Sequence, residues 1–173
     1  MLKKSSSLLG TVLIITTASF FSGNALAASK CFAAKGKIAN NAQPDGSTLG
    51  VAALNLGDHK LKCAVKGDPQ AFGGPDFKHT LVCNNSASNE DAQAQVTFDT
   101  IFLDTPVITG SCPKGSPGGP VSFSFIEKSI PVPSTARGAF VGITNEHGII
   151  IKGNFNCMGG ITMKFKGKIC ISD

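Results

Sequence analysis

Residues 149–171 read IIIKGNFNCMGGITMKFKGKICI, and this stretch decides the fold class. On both sides of a glycine pair, apolar residues alternate with polar ones, which is the period of a β-strand with one buried face. Gly159 and Gly160 can adopt the positive φ that a tight turn requires. The stretch therefore predicts a β-hairpin with the arms Ile149–Cys157 and Ile161–Ile171.

Similar alternation continues through the chain from Cys31 onward. Short apolar segments separated by Gly, Pro, Asn and Asp at roughly even spacing are typical of an all-β sandwich or barrel. We expect about ten antiparallel strands, the two hairpin arms and Cys31–Ile38, Leu49–Leu56, Lys60–Lys66, Phe77–Cys83, Ala94–Leu103, Val107–Cys112, Val121–Glu127 and Ala139–Thr144. Residues Asn145–Gly148 predict a turn, and Ser88–Gln95 has the composition of one or two helical turns. Sandwich and barrel remain alternatives.

The first residues have the pattern of a cleaved export signal. Lys3 and Lys4 precede the apolar stretch Leu8–Phe21, which is shorter than the ~20 residues of a spanning helix. Ala25-Leu26-Ala27 is the small-x-small pattern that signal peptidase recognises, which places the cut before Ala28. We therefore expect a signal peptide over residues 1–27, a single β domain over 28–173, and a bacterial protein that is periplasmic or secreted. A lipid anchor on Cys31 is disfavoured, because Lys30 rather than a small residue precedes it.

Composition excludes several classes of protein. The chain has 173 residues, of which 42% are hydrophobic and 16% charged, so it can fold around one core and is too apolar to be disordered. Its formal net charge is +5, and removal of Lys3 and Lys4 with the leader leaves +3. Such mild basicity does not predict a nucleic-acid partner. No stretch after the leader is long and apolar enough to be a transmembrane helix.

Six cysteines, all after the predicted cut, indicate disulfides in an oxidising compartment. A metal site would favour closely spaced Cys and His, and a catalytic thiol would leave an odd cysteine. Cys157 and Cys170 lie roughly 30 Å apart along the predicted hairpin and face opposite sides, so they cannot pair. We expect that Cys31 and Cys170 pair near the chain ends, on polar faces. On apolar faces, we expect the pairs Cys63–Cys83 and Cys112–Cys157.

Lysines form the most unusual feature of the predicted strands. They alternate outward on the last strand, on its hairpin partner and on the first strand, at Lys35, Lys37, Lys152, Lys164, Lys166 and Lys168. One interpretation is solubility, since lysines on an edge strand prevent edge-to-edge aggregation. The other is a cationic surface that binds an anionic envelope polymer, a lipid head group or an acidic protein.

No combination of residues predicts catalysis, a metal site or a cofactor. His59 follows Asp58 and His147 follows Glu146, but neighbours on a strand point to opposite faces. The same geometry separates the carboxylates of Asp99 and Asp104. The chain has no Trp and no Tyr, so stacking on a sugar is disfavoured, although a loop residue, Phe72, could contribute. We expect the strand phenylalanines to belong to the core.

Three functions therefore stay open. The favoured one is an exported, non-enzymatic binding or interaction protein. The second is a lipocalin-like carrier of a small apolar ligand, which would need an interior cavity. The third is a hydrolase with a dispersed site, which would need His59, His79 or Asp99 to meet in one cleft.

Overall fold

A computed structural model describes residues 29–70, 74, 76–85 and 93–172, which form nine β-strands and one short 3-10 helix. The strands are β1 Lys30–Ala42, β2 Thr48–Leu56, β3 His59–Pro69, β4 Phe77–Asn85, β5 Gln93–Phe102, β6 Val107–Ser111, β7 Val121–Arg137, β8 Ile149–Phe155 and β9 Gly160–Ile171. The 3-10 helix spans Gly138–Phe140. The all-β prediction is confirmed for this part of the chain.

Eight of the strands close into an antiparallel barrel. The sheet has the order β5-β4-β3-β2-β1-β9-β8-β7-β6, and β5 also pairs with β7. Pairing of β1 with β9 joins the two ends of the chain, and pairing of β5 with β7 closes the ring. β6 continues beside the first residues of β7, where β5 has ended. Of the two predicted architectures, the fold is therefore the barrel.

The core lies inside the barrel and is built by the predicted alternation. Along β9, Ile161, Met163 and Phe165 are buried, and Thr162 and Lys164 between them are exposed. The hairpin of β8 and β9 is confirmed, with Phe155 opposite Ile161 and a positive φ of 80° at Gly159 in the turn. Because a strand slip by one residue would exchange buried and exposed faces, this pattern fixes the register.

All three predicted disulfides are present, joining Cys31 to Cys170, Cys63 to Cys83 and Cys112 to Cys157. The first two join residues directly opposite each other, on β1 and β9 and on β3 and β4. Cys170 is fully buried although it lies on the outward face. The reason is that the chain after the 3-10 helix runs alongside it, since Thr144 donates its backbone N–H to the Cys170 carbonyl at 2.8 Å.

The strand predicted at Ala139–Thr144 is wrong. This segment begins in the 3-10 helix and then forms only an isolated bridge between Ile143 and Ile171. Gly138 and Gly142 have φ values of +58° and +85°, which an extended strand does not allow. Between them the Phe140 side chain is fully buried, which anchors the turn on the core.

The prediction for β7 stops ten residues short of its end at Arg137. The extension contains Pro131 and Pro133, which argue against a central strand because proline lacks the ladder N–H. In the structure β8 pairs with β7 only up to Ser129, and beyond it β7 has β5 alone as a partner. Both prolines therefore lie in the part of β7 that has a partner strand on one side only, where a missing N–H is tolerated.

Three predictions fall partly or wholly outside the described residues. The leader, 1–27, is one of them, and Phe72 also lies outside. Of the helical candidate Ser88–Gln95, only the last three residues are described, and they belong to β5. Within the described ranges, no helix has the length and apolar character to cross a bilayer.

Candidate functional site

The six predicted lysines lie together on the outer surface of three adjacent strands, β8, β9 and β1. Lys164 is opposite Lys37 on one side and opposite Lys152 on the other, and Lys35 is opposite Lys166. All six side chains are exposed. Since neighbouring strands are about 4.8 Å apart, the row of three lysines spans roughly 10 Å. We call the six residues the lysine face: Lys35, Lys37, Lys152, Lys164, Lys166 and Lys168.

No carboxylate neutralises this face within its own strands. β1, β2, β8 and β9 contain neither Asp nor Glu. Among the described residues, the only salt bridge joins Lys66 to Asp68, on β3. The lysine face is therefore a local excess of positive charge in a domain whose predicted net charge is small.

The edge-strand argument for the solubility interpretation does not apply in this fold. Lysines protect an edge strand, but β1, β8 and β9 are each paired on both sides, and a closed barrel has no edge there. Like charges directly opposite each other across two strands destabilise a sheet by roughly 0.2–1 kcal/mol per pair. The lysine face thus carries a cost in stability without protecting an edge.

A groove of about 650 Å³ runs along the lysine face. Lys37, Lys152, Lys164 and Lys166 border it, and the short or apolar side chains of Ala39, Val51, Ala53 and Ile150 also line it. Val51 is 64% exposed, which is unusual for a valine on a sheet. The groove can contact an extended ligand that carries anionic groups on an otherwise apolar or neutral backbone.

The barrel interior leaves little space. At its centre, a cavity bounded by residues such as Leu54, Phe98 and Ile151 has about 10 Å³, which is barely enough for one water molecule. A second cavity, of about 160 Å³, lies at the end where β1 turns into β2 and β8 into β9. Both are smaller than the 300–1,000 Å³ that is usual for ligand pockets.

Aromatic rings line the second cavity. Phe123 stacks on Phe155 with ring centroids 4.9 Å apart, and Phe125 contacts Phe123 and Phe102 at 6.1 and 6.0 Å. Phe102 in turn contacts Phe77 edge-to-face at 6.3 Å. With Glu127, these rings form what we call the aromatic pocket: Phe77, Phe102, Phe123, Phe125, Phe155 and Glu127.

Glu127 is a buried carboxyl group without a hydrogen-bond partner for its Oε2 atom. The residue is 4% exposed, on the inward face of β7 between Phe125 and Ser129. Burial raises the pKa of Glu127 to about 7, and the negative charge of Asp76 adds to the increase. Near neutral pH, this carboxyl is therefore divided between its acid and its charged form.

His79 lies on the pocket wall and is held in a chain of hydroxyl groups. Its Nδ1 is 3.0 Å from Thr100 Oγ1, which is 2.6 Å from Ser129 Oγ. Burial lowers the pKa of His79 to about 4, against a smaller opposing effect of Asp68. Thr100 and Ser129 are fully buried, so a substrate cannot reach either hydroxyl. This series of hydrogen bonds satisfies buried polar groups, and neither of its two hydroxyls is accessible as a nucleophile.

The residues that a dispersed hydrolase site would need do not meet. His59 begins β3 and is exposed, whereas His79 is inside the barrel at the other end of the neighbouring strand. Asp99 points away from the interior, opposite to Phe98 and Thr100. His147 lies beside the Cys31–Cys170 disulfide, with its ligand atom within 4.8 Å of both sulfurs. Since those sulfurs are bonded to each other, they offer no thiolate to a metal ion.

Sequence reasoning missed Glu127 and the aromatic pocket. The sequence contains a signal for the pocket, because every second residue of this strand lies on the same face. These residues are Phe123, Phe125, Glu127 and Ser129. The predicted strand ended at Glu127, which made the residue look like the boundary of a loop. The pocket phenylalanines were expected to be core residues, and Phe102 and Phe123 are in fact only half-buried.

Comparison with family models, with curated proteins and with solved structures finds no match to this chain.

Proposed function

We propose that the protein is an exported, non-enzymatic binding protein whose lysine face binds an anionic polymer of the bacterial cell envelope. The observation that carries the proposal is the row of lysines on three strands that are each paired on both sides and contain no Asp or Glu. Three disulfides support an oxidising compartment, in line with the leader predicted over residues 1–27. We infer a periplasmic or secreted location from these two features together.

A repeating anionic polymer suits the geometry of the face. Cations at adjacent strand positions present charges at spacings of about 5 Å, and a row of such charges favours a ligand with charges repeated along its length. The groove between the lysines adds contacts for the neutral parts of such a chain. Binding of this kind is driven mainly by charge and weakens as salt screens it.

We do not extend the proposal to catalysis or to a lipid carrier. Among the described residues, the one chain that links an imidazole to hydroxyl groups is buried inside the barrel. The carrier hypothesis needs an interior volume for its ligand, and the two interior cavities lined by the described residues have about 10 and 160 Å³.

Retention on immobilised heparin, used as a model polyanion, tests the proposal. The triple variant Lys164→Gln, Lys166→Gln, Lys168→Gln removes half of the lysine face. The control variant Lys62→Gln, Lys78→Gln, Lys114→Gln removes the same charge at exposed positions outside it, and none of these three lysines forms a salt bridge with a described residue. We expect the first variant to elute at clearly lower salt than the control, because only the first breaks up the cluster.

Equal elution of the two variants would refute a specific face and leave net charge as the only cause of retention. Binding of the wild-type protein to an acidic protein but not to heparin would also overturn the choice of a polymer. Circular dichroism of both variants checks that each remains folded.

A further inference from the structure

The aromatic pocket has the size of a site for a very small ligand. Its volume is about 160 Å³, and a cavity of about 150 Å³ in another protein is known to hold benzene. The space therefore suits a ligand of roughly five or six non-hydrogen atoms. It lies inside the barrel, whereas the lysine face is outside, so the two features are separate.

Glu127 gives the pocket a defined chemistry. Its Oε2 has no partner among the described residues, although the side chain is 4% exposed. An unpaired buried carboxylate is costly, and the cost falls when a positive charge or a hydrogen-bond donor approaches it. Among the described residues that line the cavity, there is no lysine, arginine or protonated histidine to supply that charge.

The surrounding rings favour a cation over other ligands. The face of an aromatic ring attracts a positive charge, with a contribution of roughly 0.5–2 kcal/mol per contact. A purely apolar ligand would exclude water and leave Glu127 unpaired, and an anion would be repelled by Glu127 and Asp76. Rings and a carboxylate together form the combination that binds quaternary ammonium groups in general.

We propose that the aromatic pocket binds a small organic cation, an alkylammonium or quaternary ammonium group, with Glu127 as its counter-ion and the phenylalanine rings around it. The carboxylate fixes the charge of the ligand, and the cavity volume fixes its size. Larger molecules that carry such a group would bind only if the rest of the molecule extends out of the barrel end.

Tetramethylammonium and tert-butanol are suitable probes, because each has five non-hydrogen atoms and only the first is charged. The measurement is a proton NMR titration at pH 8, one unit above the Glu127 pKa of about 7. A methyl group held over a phenylalanine ring moves upfield, so bound tetramethylammonium has a direct signature. We expect a Kd on the order of 1 mM for tetramethylammonium and at least tenfold weaker binding of tert-butanol.

Two variants separate the charge from the packing. Glu127→Gln preserves the shape of the side chain and should weaken tetramethylammonium binding about tenfold or more, with tert-butanol unchanged. Glu146→Gln removes an exposed carboxylate far from the pocket and should leave both titrations as in the wild type. Equal binding of the two probes, or unchanged affinity of Glu127→Gln for tetramethylammonium, would overturn the proposal. An absence of any upfield shift at concentrations well above the expected Kd would overturn it as well.

Discussion

Two buried groups with opposite pKa shifts make the pH dependence of stability testable residue by residue. Burial lowers the pKa of His79 from 6.5 to about 4 and raises that of Glu127 from 4.5 to about 7. Other charges that act on them are Asp68 on His79 and Asp76 on Glu127, and both are smaller effects than burial. Replacement of each group by glutamine removes one titration and leaves the other.

The signs of the two effects are opposite. Between pH 4 and 6.5 the unfolded chain protonates His79 and the folded one does not, so His79 makes stability rise with pH. Between pH 4.5 and 7 the folded chain keeps a proton on Glu127 that the unfolded one has released, so Glu127 makes stability fall with pH. Over the shared window, each contribution amounts to about 2 kcal/mol, and the two cancel in the wild type.

The prediction concerns differences between variants and wild type from pH 4.5 to 6.5. Relative to wild type, the unfolding free energy of Glu127→Gln should rise by about 2 kcal/mol over this window. That of His79→Gln should fall by a similar amount. Any constant loss from altered packing shifts a curve without changing its slope.

Urea unfolding followed by far-ultraviolet circular dichroism gives the free energies, since the chain has no Trp or Tyr for fluorescence. The measurement needs intact disulfides throughout. Difference curves that are flat for both variants would refute the opposed shifts. If both difference curves had slopes of the same sign, one of the two groups would not have the pKa shift that burial gives it in the structure.

Three further predictions concern the lysine face, the disulfide between Cys31 and Cys170, and the predicted leader. Lys164→Gln, which relieves two like-charge contacts, should raise the unfolding free energy by roughly 0.5 kcal/mol at low ionic strength and by almost nothing in about 1 M salt; a loss of stability in low salt would contradict it. The double variant Cys31→Ala, Cys170→Ala removes a disulfide that joins residues 139 positions apart and so restricts the unfolded chain strongly. Its unfolding free energy in urea should be lower by about 5 kcal/mol, and a loss under 1 kcal/mol would contradict this entropic explanation. In a bacterial host with an export machinery, mass spectrometry of the exported protein should find Ala28 at its N-terminus, and retention of residues 1–27 would refute the cleaved leader.

How much of this fold the sequence could predict depends on the range of the interaction. Alternation is local, so the hairpin of β8 and β9 and the outward lysines follow from neighbouring residues alone. The choice between barrel and sandwich depends on pairing of β5 with β7, two strands that are not consecutive, and no local pattern encodes it. The same pairing explains why prolines are tolerated in β7, and hence why its length was underestimated.

The candidate site divides in the same way. The lysine face needs only strand alternation and the assumption that the chain ends meet, and the predicted Cys31–Cys170 disulfide already implied that β1 lies beside β9. The aromatic pocket needs rings from β4, β5, β7 and β8 to converge on one barrel end, which only the closed ring provides. The sequence could therefore predict that Glu127 points inward, but not that it lines a pocket.

Strand geometry also makes the two proposed sites independent of each other. Along β9, Met163 lines both the aromatic pocket and the groove, but its side chain is buried on the inner face, whereas its neighbour Lys164 is exposed on the lysine face. Adjacent residues point to opposite faces, so a substitution at Lys164 changes the outer surface and leaves the pocket wall in place. Effects of changes at separate sites that share no partners add within a few tenths of a kcal/mol. When Glu127→Gln is added to the triple variant Lys164→Gln, Lys166→Gln, Lys168→Gln, we therefore expect the heparin loss of the triple variant and the tetramethylammonium loss of Glu127→Gln. Any larger effect on either readout would mean that the two sites act as one.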